Sequence, residues 1–206
     1  MQGMTDRTRP LSALALVCTL KPSPAESSSQ LLATQLLDEL TTHGVTGTAV
    51  RLADYDIKPG VSLDEGDGDQ WPQIREQVIA SDILVIVTPT WMGHLSSIAQ
   101  RVLERLDAEL SETDADGRPL VEGKVAIVGV VGNEDGAHAI IADLFQGLND
   151  VGFTIPSQGA TYWNGEAMQT VDYKDLDETP ESTASTNASV AKNAAHIARL
   201  LASTPY

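Results

Sequence analysis

The chain predicts a three-layer α/β/α sandwich built on a five-stranded parallel sheet. Short apolar, β-branched runs without polar alternation match strands buried on both faces. Amphipathic stretches of helical period lie between them, which is the pattern of successive βαβ units. A third observation limits size: 206 residues with 42% hydrophobic content are enough for one sizeable core, so residues 1–206 are expected to form a single domain.

Residues 1–10 are polar and are expected to form a flexible tail. Residues 11–18 are a continuous apolar run suited to a buried first strand. In residues 30–40, Leu31, Leu32, Leu36, Leu37 and Leu40 make the stripe of a helix packed on a sheet, and Gly44 ends it. Residues 46–52 are a short β-branched strand, whereas residues 54–69 carry too many Gly, Asp and Pro residues for regular structure and predict a surface loop. Residues 71–80 predict a brief helix with Pro72 in its first turn, and residues 83–87 form the most strand-like segment of the chain. A helix over 96–110 would place Ile98, Val102, Leu103, Leu106 and Leu110 on one side, followed by an acidic exposed connection over 111–123. Residues 124–131 predict a buried strand, 137–151 a helix, and 153–155 the start of the last strand. An acidic surface loop over 172–188 and a closing helix over 189–203 complete the expected order.

Composition narrows the function classes. The 29 acidic residues outnumber 13 basic ones, for a formal charge of −16, which excludes the clustered Lys and Arg that a nucleic acid backbone requires. No stretch approaches the ~18 apolar residues of a membrane helix, and the first ten residues lack a secretory apolar run, so a cytoplasmic protein is expected. The single cysteine, Cys18, sits among Leu14, Ala15, Leu16 and Val17 and reads as a buried strand residue. His43, His94, His138 and His196 lie in separate segments without metal-ligand spacing, so no metal site is expected.

In open parallel sheets, ligands bind beyond the carboxyl ends of the strands, and three such loops stand out. The first runs from Thr19 and Lys21, through Pro22 and Pro24, to Ser27, Ser28 and Ser29 at a helix start. Free N–H groups, the helix dipole and serine hydroxyls together make a phosphate cradle; equally, one of these serines is an ordinary N-cap. Neither the P-loop nor the dinucleotide glycine pattern occurs there. The second loop, Thr88-Pro89-Thr90-Trp91-Met92-Gly93-His94-Leu95-Ser96, places Trp91 or Met92 against a flat ring, unless Trp91 closes the core beneath the loop; His94 is equally a surface group. In the third, Gly132-Asn133-Glu134-Asp135-Gly136-Ala137-His138, Asn133 suits a ring edge and Asp135 a helix cap.

These segments, together with Thr161-Tyr162-Trp163-Asn164-Gly165-Glu166-Ala167-Met168, resemble the NAD(P)H-dependent FMN reductases of the flavodoxin-like superfamily over about residues 11–170. Cys18 and Lys21 stand where relatives commonly have glycine and arginine. The resemblance implies that Thr19, Lys21, Ser27, Ser28 and Ser29 meet the FMN phosphate. It implies that Pro89, Thr90, Trp91, Met92 and Gly93 border the isoalloxazine, and Gly132, Asn133 and Gly136 its other edge. It further implies hydride transfer from NAD(P)H to bound FMN, electron delivery to a quinone, flavin or other small acceptor, and a homodimer or homotetramer. A flavodoxin-type electron carrier is the main alternative, with a scaffold that has lost flavin as a third. The low aromatic content, 4%, favours an open ring and an enzyme.

Overall fold

The computed structural model describes residues 9–168, 170–204 and 206; most of the expected N-terminal tail lies outside them. Five parallel strands form the sheet: β1 (Leu11–Val17), β2 (Val45–Arg51), β3 (Ile83–Trp91), β5 (Val125–Gly132) and β6 (Ala160–Asn164), in the order β2-β1-β3-β5-β6. A short antiparallel strand, β4 (His94–Leu95), pairs with the far end of β3. The helices are α1 (Ser28–Thr42), α2 (Trp71–Ala80), α3 (Ser97–Leu106), α4 (Ala137–Val151) and α5 (Glu181–Ser203).

The central strands β1, β3 and β5 bury both faces because alternate residues enter two separate cores. Leu14 of β1, Leu84 and Ile86 of β3 and Val128 of β5 pack with Trp71, Val102 and Leu144 of α2, α3 and α4. Ala15, Val85 and Ile127 of the same strands pack with Leu36 of α1 and Ala194 of α5. Helices α1 and α5 therefore cover one face and α2, α3 and α4 the other. The chain leaves β1 toward one face and β3 toward the opposite face, so the two exits diverge and open a crevice at the carboxyl end of the sheet.

Four expectations are corrected. The second loop begins as strand: β3 runs on to Trp91 and returns through β4, with Met92 at φ 53° and Gly93 at φ 78° in a two-residue turn that matches strand twist. Helix α3 stops at Leu106 and passes into a 3₁₀ turn, Asp107–Ser111; Leu110 faces solvent, and the buried residue there is Glu109, which accepts from Arg75 at 2.9 Å. The last strand is Ala160–Asn164. Thr154 makes only an isolated bridge to Val125, because Pro156 has no N–H to donate and the chain loops out before Gly159 accepts from Val128 at 3.0 Å. Finally, α5 starts at Glu181, inside the expected acidic loop. The turns added at its start, residues 181–188, bury only the polar residues Thr183 and Asn187, so no apolar stripe marks them as helix in sequence.

The expected surface loop over 54–69 is held by a buried ion pair. Arg105 and Asp69 are both fully shielded and meet at 2.8 Å; Arg105 also donates to the carbonyls of Lys58 and Leu63 and lies 5.8 Å above the Trp71 ring. Burial by itself would raise the Asp69 pKa, but N–H donors from Glu65, Trp71 and Lys58, with Arg105, outweigh it and hold the carboxyl below its ordinary value. Breaking the pair with Asp69→Ala should cost about 3–5 kcal/mol, because Arg105 is left charged and buried. Since the folded pKa is lowered, this stability is present above about pH 4 and is lost as pH falls below it. Urea midpoints should separate wild type from Asp69→Asn widely at pH 7 and much less at pH 3; an equal gap at both would show that the carboxylate charge contributes nothing.

Candidate flavin cleft

A cleft of about 480 Å³ lies at the carboxyl ends of β1, β3, β5 and β6. Of the residues expected there, Thr19, Lys21, Ser27, Ser28, Ser29, Pro89, Thr90, Trp91, Gly132 and Asn133 line it. Met92, Gly93 and Gly136 do not line it; they hold its wall from behind.

The loop after β1 is fixed from outside. Ser23 donates to Asp54 through its N–H at 2.6 Å and its hydroxyl at 2.7 Å, which holds the Asp54 carboxyl below its usual range. Arg51 donates to the carbonyl of Ala25 at 2.6 Å. Ser27 is the N-cap of α1, its hydroxyl accepting from the N–H of Gln30 at 3.3 Å. The first intrahelical bond runs from Leu31 N–H to the Ser27 carbonyl, so the N–H groups of Ser28 and Ser29 precede the helical ladder. Ser27 therefore caps the helix and, with Ser28 and Ser29, lines the cleft.

The junction of β1 and β3 is locked by a residue that sequence reasoning left as part of a loop. Buried Ser96 donates its hydroxyl to the Cys18 carbonyl at 2.7 Å, accepts from Ala99 N–H at 3.2 Å as the N-cap of α3, and donates its own N–H to Thr88 Oγ1 at 3.1 Å. Cys18 beside it is fully buried, and burial pushes its thiol pKa well up, so it is not a nucleophile.

The β3–β4 hairpin stands as one wall. Trp91 is 53% exposed, so it does not close the core; that part is taken by Trp71, which is fully buried. The hairpin tip is fastened to the loop after β5: Met92 N–H donates to Glu134 Oε1 at 2.7 Å. A Cβ on Gly136 would meet the Cα and carbonyl oxygen of Gly93 at 2.7 Å. The two glycines therefore make a backbone-to-backbone contact that a side chain at Gly136 would break. Gly132 has a similar reason, since a Cβ there would come within 2.8 Å of Thr90 Cβ.

Two polar atoms in this wall have no hydrogen-bond partner among the described residues. Thr90 Oγ1 and Asn133 Oδ1 are buried and unpaired, while Asn133 Nδ2 donates to Asp172 at 2.9 Å. Buried polar groups are rarely left so unless a ligand or water completes them. The opposite wall was not foreseen. Trp163 of β6 packs against Tyr173 with ring centroids 5.4 Å apart, and Tyr173 donates to Gln35 of α1 at 2.6 Å. Lys174 follows, its N–H donating to Ser28 Oγ at 3.3 Å. The aromatic content of residues 161–173 was the available signal, hidden by the acidic residues around Tyr173. Among the described residues, no group of three or more His, Cys, Asp or Glu side chains is placed to hold a metal ion, and no helix is long and apolar enough to cross a membrane.

Comparison with known proteins agrees with this architecture. Residues 12–167 match the family described as NADPH-dependent FMN reductase. The chain is 32% identical over 209 residues to the 8-demethyl-8-aminoriboflavin-5'-phosphate synthase of Streptomyces davaonensis, a match covering 95% of this chain and 80% of that protein. It is similar to the crystal structure of RosB with bound intermediate 8-demethyl-8-formylriboflavin-5'-phosphate, at a TM-score of 0.85 and 31% identity, covering 95% of this chain and 82% of that one. A flavodoxin from the domain Archaea, 8% identical with a TM-score of 0.55 over 89% of this chain and 99% of its own, shares the flavodoxin-like fold.

The two tryptophans should respond oppositely to truncation. Trp91→Ala should melt within about 1 kcal/mol of wild type, because a half-exposed ring leaves no closed cavity, whereas Trp71→Ala should cost about 3–5 kcal/mol. Denaturant unfolding of both variants checks this, and a Trp91→Ala loss as large as that of Trp71→Ala would place Trp91 in the core.

Proposed function

Because the chain belongs to the NADPH-dependent FMN reductase family, we propose that the cleft holds FMN and that the protein takes hydride from NAD(P)H and passes electrons to a quinone, a flavin or another small acceptor. The single observation that carries the flavin reading is the pair of buried, unpartnered atoms, Thr90 Oγ1 and Asn133 Oδ1, in the wall between the two tryptophans. A flavin ring offers hydrogen-bonding groups along one edge and apolar faces elsewhere, which suits that wall. Ser28 and Ser29, with their N–H groups, and Lys21 would hold the phosphate. Thr90 and Asn133 would meet the polar ring edge, and Trp91 and Trp163 would bound the apolar part. Bound FMN would supply the hydride-accepting and electron-donating chemistry. The side chains orient and exclude water, and none is required as a nucleophile. The half-exposed Trp91 leaves one side of the cleft accessible to a second reactant, which supports an enzyme over an enclosed electron carrier.

A second reading is supported by the likeness to the aminoriboflavin phosphate synthase: the flavin phosphate is itself a substrate and leaves the cleft altered. Both readings need the same site. Heat release of the ligand followed by mass spectrometry should give FMN and not FAD, and purified protein should oxidise NAD(P)H steadily with a quinone, leaving the flavin mass unchanged. A changed flavin mass without nicotinamide oxidation would favour the second reading, and no flavin uptake at all would remove both. Thr90→Val should leave the flavin-free protein as stable as wild type, since an unpaired hydroxyl is removed, and should weaken FMN binding by about 0.5–1.5 kcal/mol. Unchanged FMN affinity would detach Thr90 from the ring.

A further inference from the structure

Residues 172–174, which lie between β6 and α5 and beyond the residues that match the family, line the proposed phosphate end of the cleft. Each of the three grips a different wall. Asp172 accepts from Asn133 after β5, Tyr173 joins Trp163 to Gln35, and the Lys174 N–H donates to Ser28 Oγ at the start of α1. That last bond sets the lysine backbone directly against the serine cradle. The Lys174 ammonium lies 2.5 Å from Asp175 Oδ1 and 3.8 Å from Glu26 Oε2, and Glu26 immediately precedes the N-cap Ser27. We propose that Lys174 is the residue by which this site selects a phosphorylated flavin over an unphosphorylated one, its ammonium exchanging exposed carboxylates for the phosphate.

This rests on the reading of the cleft as a flavin phosphate site. The carboxylates now beside Lys174 are weak competitors. The Glu26 side chain is 86% exposed and Asp175 46% exposed, so both remain hydrated and gain little from the pair. A phosphate dianion carries more charge and more acceptor oxygens than either, and meets the ammonium together with the N–H groups of α1. Asp175 pushes the Lys174 pKa up, which keeps the side chain charged throughout the neutral range. In a chain of net charge −16, a cation placed on the cleft wall, as Lys174 is beside Lys21, matters because the overall charge repels an anion.

The experiment is titration of flavin-free full-length protein with FMN and with riboflavin, for wild type, Lys174→Gln, Lys174→Arg and Glu26→Gln. Lys174→Gln should weaken FMN binding about ten-fold or more, leave riboflavin within about two-fold, and flatten the salt dependence of FMN binding. Lys174→Arg should recover most of the lost affinity. Glu26→Gln should tighten FMN a few-fold in wild type, by less in the Lys174→Gln background, and leave riboflavin unchanged; a purely structural lysine would give equal gains in both backgrounds. If Lys174→Gln fails to fold, Lys174→Met takes its place in the same comparisons. Equal losses for both flavins, or no response of FMN to any of the three changes, would overturn the assignment of Lys174 while leaving the flavin site standing. Wild type that binds neither ligand would instead overturn the flavin reading itself.

Discussion

The structure depends on the junction where β1 and β3 part. Adjacent parallel strands that send their chains to opposite faces must leave their last carbonyls and the next helix start without a continuous ladder. Ser96 fills that gap, holding the Cys18 carbonyl, the Thr88 hydroxyl and the first turn of α3 at once. With the junction pinned, the loop after β1 can lie on one side and the hairpin after β3 on the other, and the space between them is the cleft. The rest of the site is secondary to this divergence: the Gly93–Gly136 contact and the Glu134 bond set the hairpin angle, and the Tyr173 turn sets the opposite wall.

The charge of the protein constrains how such a site can treat an anion. With 29 acidic and 13 basic residues, long-range repulsion opposes a phosphate, so recognition must come from groups in contact with it. Backbone N–H groups at a helix start and serine hydroxyls serve this without net charge. Carboxylates near the cleft are mostly engaged: Asp172 with Asn133, Glu134 with Met92 N–H, and Asp54 with Ser23. An acidic surface and the proposed anion site are thus compatible, because Asp172 and Glu134 on the cleft wall are tied to donors and Glu26 is largely hydrated.

Much of the fold was legible because its cause is local. Residues 71–80 and 137–151 form helices with the bounds expected from their own periodicity, and the apolar runs of β1, β3 and β5 mark the sheet centre. That Ser27, Ser28, Ser29 and Asn133 line one cleft was legible because ligands in this architecture gather at strand ends. What was not legible had causes far off in sequence. A hairpin with Met92 at positive φ lacks the usual Asn-Gly signal and is held by Glu134, 42 residues away. Leu110 looked like core by spacing, but the helix tightened and Glu109 found Arg75 instead. The early start of α5 was hidden because its first turns bury polar residues, Thr183 and Asn187, rather than apolar ones. The Tyr173–Lys174 wall was masked by neighbouring acidic residues whose side chains point to partners that only the fold reveals.

The central claim is that four strand ends make one flavin phosphate site. Amide hydrogen exchange of the whole protein with and without saturating FMN tests it most directly. Exchange should slow together in peptides covering residues 19–31, 88–95, 131–137 and 163–175, and remain unchanged in 54–69 and 196–203. Protection confined to the cavity formed by Arg9, Gly44 and Arg199 at the opposite end of the sheet, or no protection anywhere at saturating FMN, would contradict the account.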